Sequence, residues 1–380
     1  INIEQINLGN LESHAEKISA YELISKEFSQ APFDLTHDNL LRLKLVRFNP
    51  HQHILLFVIH HIISDGWSNG NVLLREICSL YSAFSQGKPS PLIPLPFQYA
   101  DFAQWQRSTL DGPLLNKKID YWVNKLKGIP SALELPLDFS RPAINSFSGK
   151  TKYFSIEENT LRQLKDLGKS LGTSLYVVLQ AAFSTLLFKY SRQETIVVGS
   201  PIANRNTKEL EGLIGLFVNT FVIRTDFSSD ATCLDIIKQA RENFIESYPF
   251  QDLPFERLVE AIRPERNSSF SPLFQVMFIL QNQNDERGNL KIGDLSLKVL
   301  PLAQESSMFD ITLKLEEQEN QLLGELEYST DLFKESTISS FIAHFKNILD
   351  CFISDPNQSI ASLCLLEASD FKKIVSDFNQ

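Results

Sequence analysis

The spacing of apolar and polar residues changes period several times along the chain, and each change predicts an element. The clearest run is Ile54-Leu55-Leu56-Phe57-Val58-Ile59, which ends at His60-His61. It is too short for a buried helix and rich in branched side chains, so it predicts a buried strand. Upstream, Leu41, Leu43, Leu45 and Phe48 alternate with Arg42, Lys44 and Arg47 as in a half-exposed strand. The Asn49-Pro50-His51-Gln52 turn joins the two strands as a hairpin. Downstream, Val72, Leu73, Ile77, Leu80, Tyr81 and Phe84 fall on one helical face, with Ser68 as the N-cap. Helical spacing also covers Leu11–Phe28, Glu157–Leu171, a stretch opened by Thr173, and one opened by Thr337. In the segment Tyr99–Arg107 it places Tyr99, Phe102 and Trp105 on one buried face. Strands are predicted at Thr195–Gly199, in the apolar run before Gln281 and Asn282, and as a half-buried pair at Phe309–Leu315 and Leu322–Tyr328. Helix pairs followed by strands predict an α/β layered fold.

At 380 residues the chain is long enough for two domains, and 43% apolar content predicts well-formed cores. The net charge of −10 carries no basic stripe for phosphates, which argues against nucleic acid as a partner. No apolar run has the length of a membrane span, so no membrane partner is expected. Cys78, Cys233, Cys351 and Cys364 lie far apart without metal or redox spacing. They read as small core residues in a reducing, cytoplasmic setting.

The chemistry concentrates at His60-His61-Ile62-Ile63-Ser64-Asp65-Gly66-Trp67-Ser68. Alternation along a strand would send His60 and His61 to opposite faces, so the two should do different work. An imidazole takes and returns a proton near neutral pH, and a carboxylate a few residues on can orient a ring or lock a turn. Asp65-Gly66 marks that turn, with Gly66 supplying backbone angles that other residues avoid. An ordinary strand end is the competing reading of the histidine pair. Zinc is a weaker one, because adjacent histidines diverge and no paired cysteines or His-Glu-x-x-His support it.

His60-His61-x-x-x-Asp65-Gly66 resembles the signature of the condensation domains of nonribosomal peptide synthetases, which belong to the chloramphenicol-acetyltransferase-like acyltransferases. Other stretches resemble the family along nearly the whole chain: Phe33-Asp34-Leu35, Tyr99–Arg107, Tyr121-Trp122, Leu135–Asp138 with Arg141-Pro142, Ser200–Arg205, Leu213–Thr220, Gln251–Glu256 and Ser271–Asn282. One departure is Phe250, where the family usually has His. Two motifs that the family carries further upstream have no counterpart here.

The resemblance implies two chloramphenicol-acetyltransferase-like lobes forming a V around a central tunnel. Residues 1–145 would be an incomplete N-terminal lobe carrying the histidine motif, 146–355 the C-terminal lobe, and 356–380 the start of a linker towards an adenylation domain. The implied reaction is amide-bond formation between an upstream carrier-bound acyl or peptidyl thioester and a downstream carrier-bound aminoacyl amine. Both substrates would hang on phosphopantetheine arms of carrier proteins, with no metal and no cofactor bound by the domain itself. His61 would position the amine or take its proton, His60 and Asp65 would hold the motif in shape, and Gly66 and Arg205 would support the site. Arg205 would pair with Asp65 through two parallel hydrogen bonds and tie the lobes together. Trp67, Asn219, Gln281 and Asn282 would line the tunnel. The Ile63–Ser68 and Pro254–Asn282 stretches are nearer the subtype whose donor ends in a D-configured residue. Epimerising and ester-forming relatives, and a non-catalytic carrier-docking module, are the rival readings.

Overall fold

A computed structural model of the chain describes residues 3–265, 267–282, 290–292, 295–300, 305–318 and 320–365. The chain divides into two compact units, and neither is continuous in sequence. The first comprises Ile1–Trp105, Arg205–Val218 and Asp285–Leu302, and the second comprises Gln106–Asn204, Asn219–Asn284 and Ala303–Gln380. This differs from the single break expected near residue 145: residues 106–145 belong with the later part of the chain, and 205–218 with the earlier part.

The first unit is built on a three-stranded sheet in the order β1-β2-β3, from β1 (Ile3–Asn7), β2 (Leu41–Asn49) and β3 (Gln52–Ile59). The predicted hairpin is present, with Leu41 opposite Ile59 and Val46 opposite Ile54. β1 pairs parallel to β2 and was not legible as a strand, because its five residues are exposed or half-buried and mostly polar. Helix α1 (His14–Gln30) is held at its start by a capping box between Ser13 and Glu16, which satisfies two otherwise orphaned N–H groups. Its Tyr21, Ile24 and Phe28 pack on Val46, Phe48 and Leu56 of the sheet.

After β3 the chain makes a short 3-10 turn at His61–Ile63, then a wider helical turn at Ser68–Leu73 that runs into α2 (Leu74–Ser85). Val72 is buried as predicted, whereas Tyr81 and Phe84 at the far end of that face are exposed. Helix α3 (Tyr99–Thr109) buries Phe102 against Leu210, Leu213 and Phe217 of the 205–218 segment. Trp105, expected on the same face, is 57% exposed. Its ring still lies against that of Phe102, with centroids 5.9 Å apart, so the aromatic stripe continues to the surface.

The second unit begins with α4 (Gly112–Lys125) and is organised by a six-stranded sheet. Its strands include β4 (Gly149–Ile156), β5 (Thr195–Ile202), β6 (Asn219–Asp226) and β7 (Val276–Asn282). Between β7 and the remaining strands a small hairpin of the first unit intervenes, β8 (Leu290–Ile292) with β9 (Leu295–Leu297). The sheet is completed by the antiparallel hairpin β10 (Ile311–Gln318) and β11 (Gln321–Ser329), giving the order β4-β11-β10-β7-β5-β6. β4 was not predicted; it is an edge strand with only its end residues buried, so it lacks a clean two-residue period.

Alternation assigns each strand's side chains to two layers. Ile196, Val198, Val276 and Phe278 face a core shared with α5 (Glu158–Ser170), α6 (Leu175–Ser191), α7 (Cys233–Ser247) and α9 (Glu335–Ser354). Val197 and Met277, one residue over, face a second core with Trp122 and Leu126 at the end of α4 and with Leu258 of α8 (Phe255–Ile262). α6 is buried from Val177 to Leu187, which is why its sequence is apolar all round. Its N-cap is Ser174 rather than Thr173, and α9 starts after Lys334 rather than at Thr337. Residues 356–363, expected to open a linker, pack on this unit: Ile360 and Leu363 are buried, and the N–H of Leu234 donates to the Pro356 carbonyl at 2.7 Å. Cys78 and Cys233 are buried, Cys351 is half-buried, and Cys364 is exposed, contrary to the core role expected of it. Among the described residues no single helix is long and apolar enough to cross a membrane.

Candidate active site

The strand that delivers the histidines stops at Ile59. The His60 N–H makes one last sheet bond to the Leu40 carbonyl at 2.9 Å, and the backbone then turns. It is therefore the turn, and not strand alternation, that separates the two imidazoles. His60 is the N-cap of the 3-10 turn, and its Nδ1 accepts from the Ile62 N–H at 3.1 Å. Its ring also meets Phe33 edge to face, with centroids 5.5 Å apart. His61 lies one residue later, exposed, and among the described residues no partner holds its ring. Ile62 and Ile63 beside it are exposed as well.

Asp65 is the centre of the turn's structure. Its side chain is 2% exposed, and its carboxylate accepts at both oxygens. Oδ1 takes the Ser68 N–H at 2.8 Å and Arg205 Nη2 at 3.3 Å. Oδ2 takes the backbone N–H groups of Phe217 at 2.9 Å and Val218 at 3.2 Å. Helical backbone already begins at Gly66, and the bond to the N–H three residues on makes Asp65 the side chain that caps this start, a role the sequence had suggested for Ser68. Burial works to raise the Asp65 pKa, but the hydrogen bonds from Ser68 and Phe217 and the Arg205 charge outweigh it and hold the carboxyl below its usual range.

Ser68, fully buried, is occupied elsewhere. Its Oγ donates to the Gly215 carbonyl at 3.0 Å and accepts from the Gly215 N–H at 3.1 Å and from Arg205 Nη2 at 2.7 Å. Arg205 completes the cluster. Its Nη1 donates to the carbonyls of Leu210 and of Leu213, the latter at 2.9 Å, and its guanidinium lies 4.0 Å over the Phe217 ring. The pairing with Asp65 is thus a single long contact within a network, not the two parallel bonds expected. Both residues belong to the first unit, and the pair fastens the 205–218 segment to the histidine turn. Burial pulls the Arg205 pKa down against the opposing charge of Asp65.

Gly66 and Gly215 stand in opposite surroundings. A Cβ on Gly215 would sit 2.2 Å from Cδ2 of Tyr99, so the close approach expected there is real. Gly66 has no positive φ, and a Cβ on it would meet nothing within 4 Å. The turn-forming reason anticipated for Gly66 is therefore wrong, and the fold leaves open space at that residue.

The remaining expected lining residues divide. Trp67 is part-exposed and its Nε1 donates to the Glu211 carbonyl at 3.0 Å, so it too grips the 205–218 segment. Asn219, in the second unit, is buried and spent on structure. Its Nδ2 donates to the carbonyls of Gln251 and Leu253 at 2.8 and 2.7 Å, and its Oδ1 accepts from the Phe255 N–H at 3.1 Å. Gln281 is half-buried near the end of β7, opposite Glu316; the side chain of Asn282 lies outside the described residues. Phe250, which replaces the family's His, stacks on Tyr121 with centroids 3.9 Å apart, and its carbonyl accepts from Trp122 Nε1. That position packs the second unit. Sequence reasoning missed Phe33 as the neighbour of His60 and Arg42 as the neighbour of Phe33; the predicted hairpin, which sets Arg42 opposite Val58, is the signal that could have found Arg42. Among the described residues no group of three or more His, Cys, Asp or Glu is placed to hold a metal ion.

Comparison with known proteins places this geometry. The family model for the condensation domain matches residues 1–375. A linear gramicidin synthase polypeptide of Brevibacillus parabrevis is 41% identical over 99% of this chain, and a dimodular nonribosomal peptide synthase of Bacillus subtilis is 37% identical over 97% of it. The chain spans only 7% and 16% of the lengths of those two proteins. Among solved structures, the X-domain from teicoplanin biosynthesis matches with a TM-score of 0.87 at 27% identity, over 96% of this chain and 82% of that one. A four-domain nonribosomal peptide synthetase bound to AMP and glycine matches with a TM-score of 0.85 at 26% identity, over 97% of this chain and 28% of that one. The family match, the identities and the shared two-lobed α/β, chloramphenicol-acetyltransferase-like fold lead to one conclusion: the chain belongs to the condensation-domain family of nonribosomal peptide synthetases.

Proposed function

We propose that the chain forms an amide bond between two carrier-bound substrates in nonribosomal peptide assembly, with His61 as the group that acts on the attacking amine. The observation that carries this reading is the contrast within one turn. His60, Ser64, Asp65, Trp67 and Ser68 are all engaged by side-chain hydrogen bonds, while the neighbouring His61 ring is exposed and, among the described residues, unpartnered. A network that fixes the turn and leaves one titratable ring open is suited to presenting that ring to a substrate.

The reaction asks modest chemistry of the protein. The amine lone pair forms the C–N bond as the thioester carbonyl electrons move onto oxygen. Collapse of the tetrahedral intermediate expels the thiolate, and the proton lost by nitrogen passes to sulfur. On this reading His61 takes that proton, or orients the amine by accepting a hydrogen bond from it. Holding both substrates in attack geometry supplies effective molarities of about 10⁵ M or more, and a positioned base adds roughly 10²–10⁴-fold. Carrier proteins on both sides and an adjoining adenylation domain are the partners this reading requires.

The test is His61→Ala in the complete synthetase, supplied with loaded carrier proteins. Folding should be normal and amide formation should fall by about 10²–10⁴-fold. Full turnover in a folded His61→Ala protein would overturn the assignment. A second reading, a non-catalytic docking module, has one observation behind it: the X-domain that this chain resembles was solved in complex with OxyB, so a chain of this fold can hold a protein partner. A wild-type chain that binds carrier proteins yet forms no amide would favour that role. Offering an alcohol acceptor and following the donor α-carbon separate the ester-forming and epimerising alternatives, and paired D- and L-ended donors test the stereochemical expectation.

A further inference from the structure

We infer that Phe33, backed by Arg42, is a positioning residue for the histidine turn, fixing the tautomer and orientation of His60 and through it the presentation of His61. The inference rests on the reaction proposed above for its kinetic consequence, but not for its structural one.

The placement follows from strand register. Arg42 stands opposite Val58, and the His60 N–H bonds the Leu40 carbonyl. Residues two apart on a strand share a face, so the Arg42 and His60 side chains project from the same side of the hairpin. The Phe33 ring fills the space between them. On one side the Arg42 guanidinium lies 3.9 Å from its centroid, and on the other the His60 ring meets it at 5.5 Å and an interplanar angle of 86°. Edge-to-face aromatic pairs and guanidinium–ring contacts of this kind each add a directional preference beyond plain burial.

Arg42 is itself immobilised by the loop that carries Phe33. Its guanidinium donates to the Ala31 carbonyl at 3.1 Å, to the Pro32 carbonyl at 2.7 Å and to Asp38 Oδ2 at 2.7 Å. Asp38 Oδ2 in turn accepts from the Asp34 N–H at 3.0 Å, closing the loop on itself. The backbone on both sides of Phe33 is thereby pinned, and the phenyl ring stands as a fixed wall behind His60.

What the wall protects is one hydrogen bond. His60 Nδ1 accepts from the Ile62 N–H, so in the neutral ring the proton must sit on Nε2. A rotation of the imidazole by more than about 30° would misalign that bond and release the turn bearing His61. Phe33 opposes the rotation sterically, while Arg42 keeps Phe33 from following. His60 is thus held by two contacts, the Ile62 N–H at its polar edge and the Phe33 ring beside it, and the second of these lies outside the histidine motif.

The experiment uses Phe33→Leu, Phe33→Tyr and Arg42→Lys in the full chain, with ¹⁵N-histidine NMR of the His60 ring and steady-state condensation kinetics. The wild-type and Phe33→Tyr proteins should show Nδ1 as the unprotonated, hydrogen-bonded nitrogen. Phe33→Leu should average the two tautomers and lower kcat about tenfold to hundredfold with KM unchanged, the signature of lost positioning. Arg42→Lys keeps the charge but loses the planar fork, and should give an intermediate effect; it serves as the second reading should Phe33→Leu fold poorly. A folded Phe33→Leu or Arg42→Lys protein with the wild-type tautomer and kcat overturns the inference. If the wild type itself forms no amide while Phe33→Leu still scrambles the tautomer, the proposed reaction fails and the positioning role stands.

Discussion

Replacing Asp65 tests whether the aspartate of the histidine motif is a structural or a chemical group. In Asp65→Ala four hydrogen bonds to the carboxylate vanish, two of them from the adjacent backbone N–H groups of Phe217 and Val218. Arg205 stays buried at 2% exposure with its charge uncompensated and its Nε already unpartnered among the described residues. Breaking a buried pair from one side costs about 3–5 kcal/mol, which lowers Tm on the order of 10 °C in a unit of this size. Asp65→Asn should be nearly as damaging, for a geometric reason. Both carboxylate oxygens face donors, so whichever way the amide turns, its NH₂ points at an N–H or at the guanidinium. Adding Arg205→Met should recover part of the loss, because no charge is then stranded. The assay is thermal melting together with hydrogen exchange at the Phe217 and Val218 amides, which should lose protection first. An Asp65→Asn protein with unchanged Tm and protected amides, but no turnover, would refute the structural role and make the carboxylate a participant in the chemistry.

The remaining predictions concern the same scaffold. Because the folded Asp65 pKa lies below its unfolded value of about 3.9, its contribution is fully present above that pH and is lost as pH falls through the folded value. Acid melting below about pH 4 should therefore be steeper in the wild type than in Asp65→Asn. Gly66→Ala meets no neighbour and favours the helix by up to ~1 kcal/mol, so Tm should hold or rise; a lowered Tm would show a backbone demand that the structure does not contain. Gly215→Ala drives a methyl into the Tyr99 ring and should cost about 1–3 kcal/mol, with the fluorescence of Trp105, which lies against Phe102, reporting the shift of α3. Asn219→Ala strands two carbonyls and one N–H and should cost about 2–4 kcal/mol, read as loss of protection at the Phe255 amide; unaltered protection there would count against the clamp.

The elements that could be read from the sequence are those whose periodicity comes from one continuous burial environment. α5 buries Leu161 and Leu164 on one face, and β10 and β11 bury Leu313, Leu315, Leu322 and Leu326 against the same core. β1 and β4 escaped because edge strands see solvent on several sides and no core imposes alternation on them. The site was legible as a stretch but not as a mechanism of support. That His60-His61 and Asp65 belong together follows from their spacing. That Asp65 caps the helix while Ser68 grips Gly215 depends on a segment 147 residues away, and local rules favoured Ser68 for the cap. Asn219 owes its expected lining role to the family resemblance of the Leu213–Thr220 stretch. Its three hydrogen bonds all go to residues 251–255, a pairing that no local pattern announces.

The unequal employment of the turn's side chains bears on how such chains change under selection. Asp65, Ser68 and Arg205 are tied into the fold by hydrogen bonds, so any lineage that must keep a folded domain will keep them, whether or not it still performs chemistry. His61 carries no such duty. On the role proposed for it, its codon is free to drift as soon as turnover stops being selected, while its neighbours stay fixed. A descendant that retains the aspartate and arginine but has exchanged this one exposed imidazole would be a folded relic or a recruit to another task, and the surviving remainder of the signature would say nothing about activity.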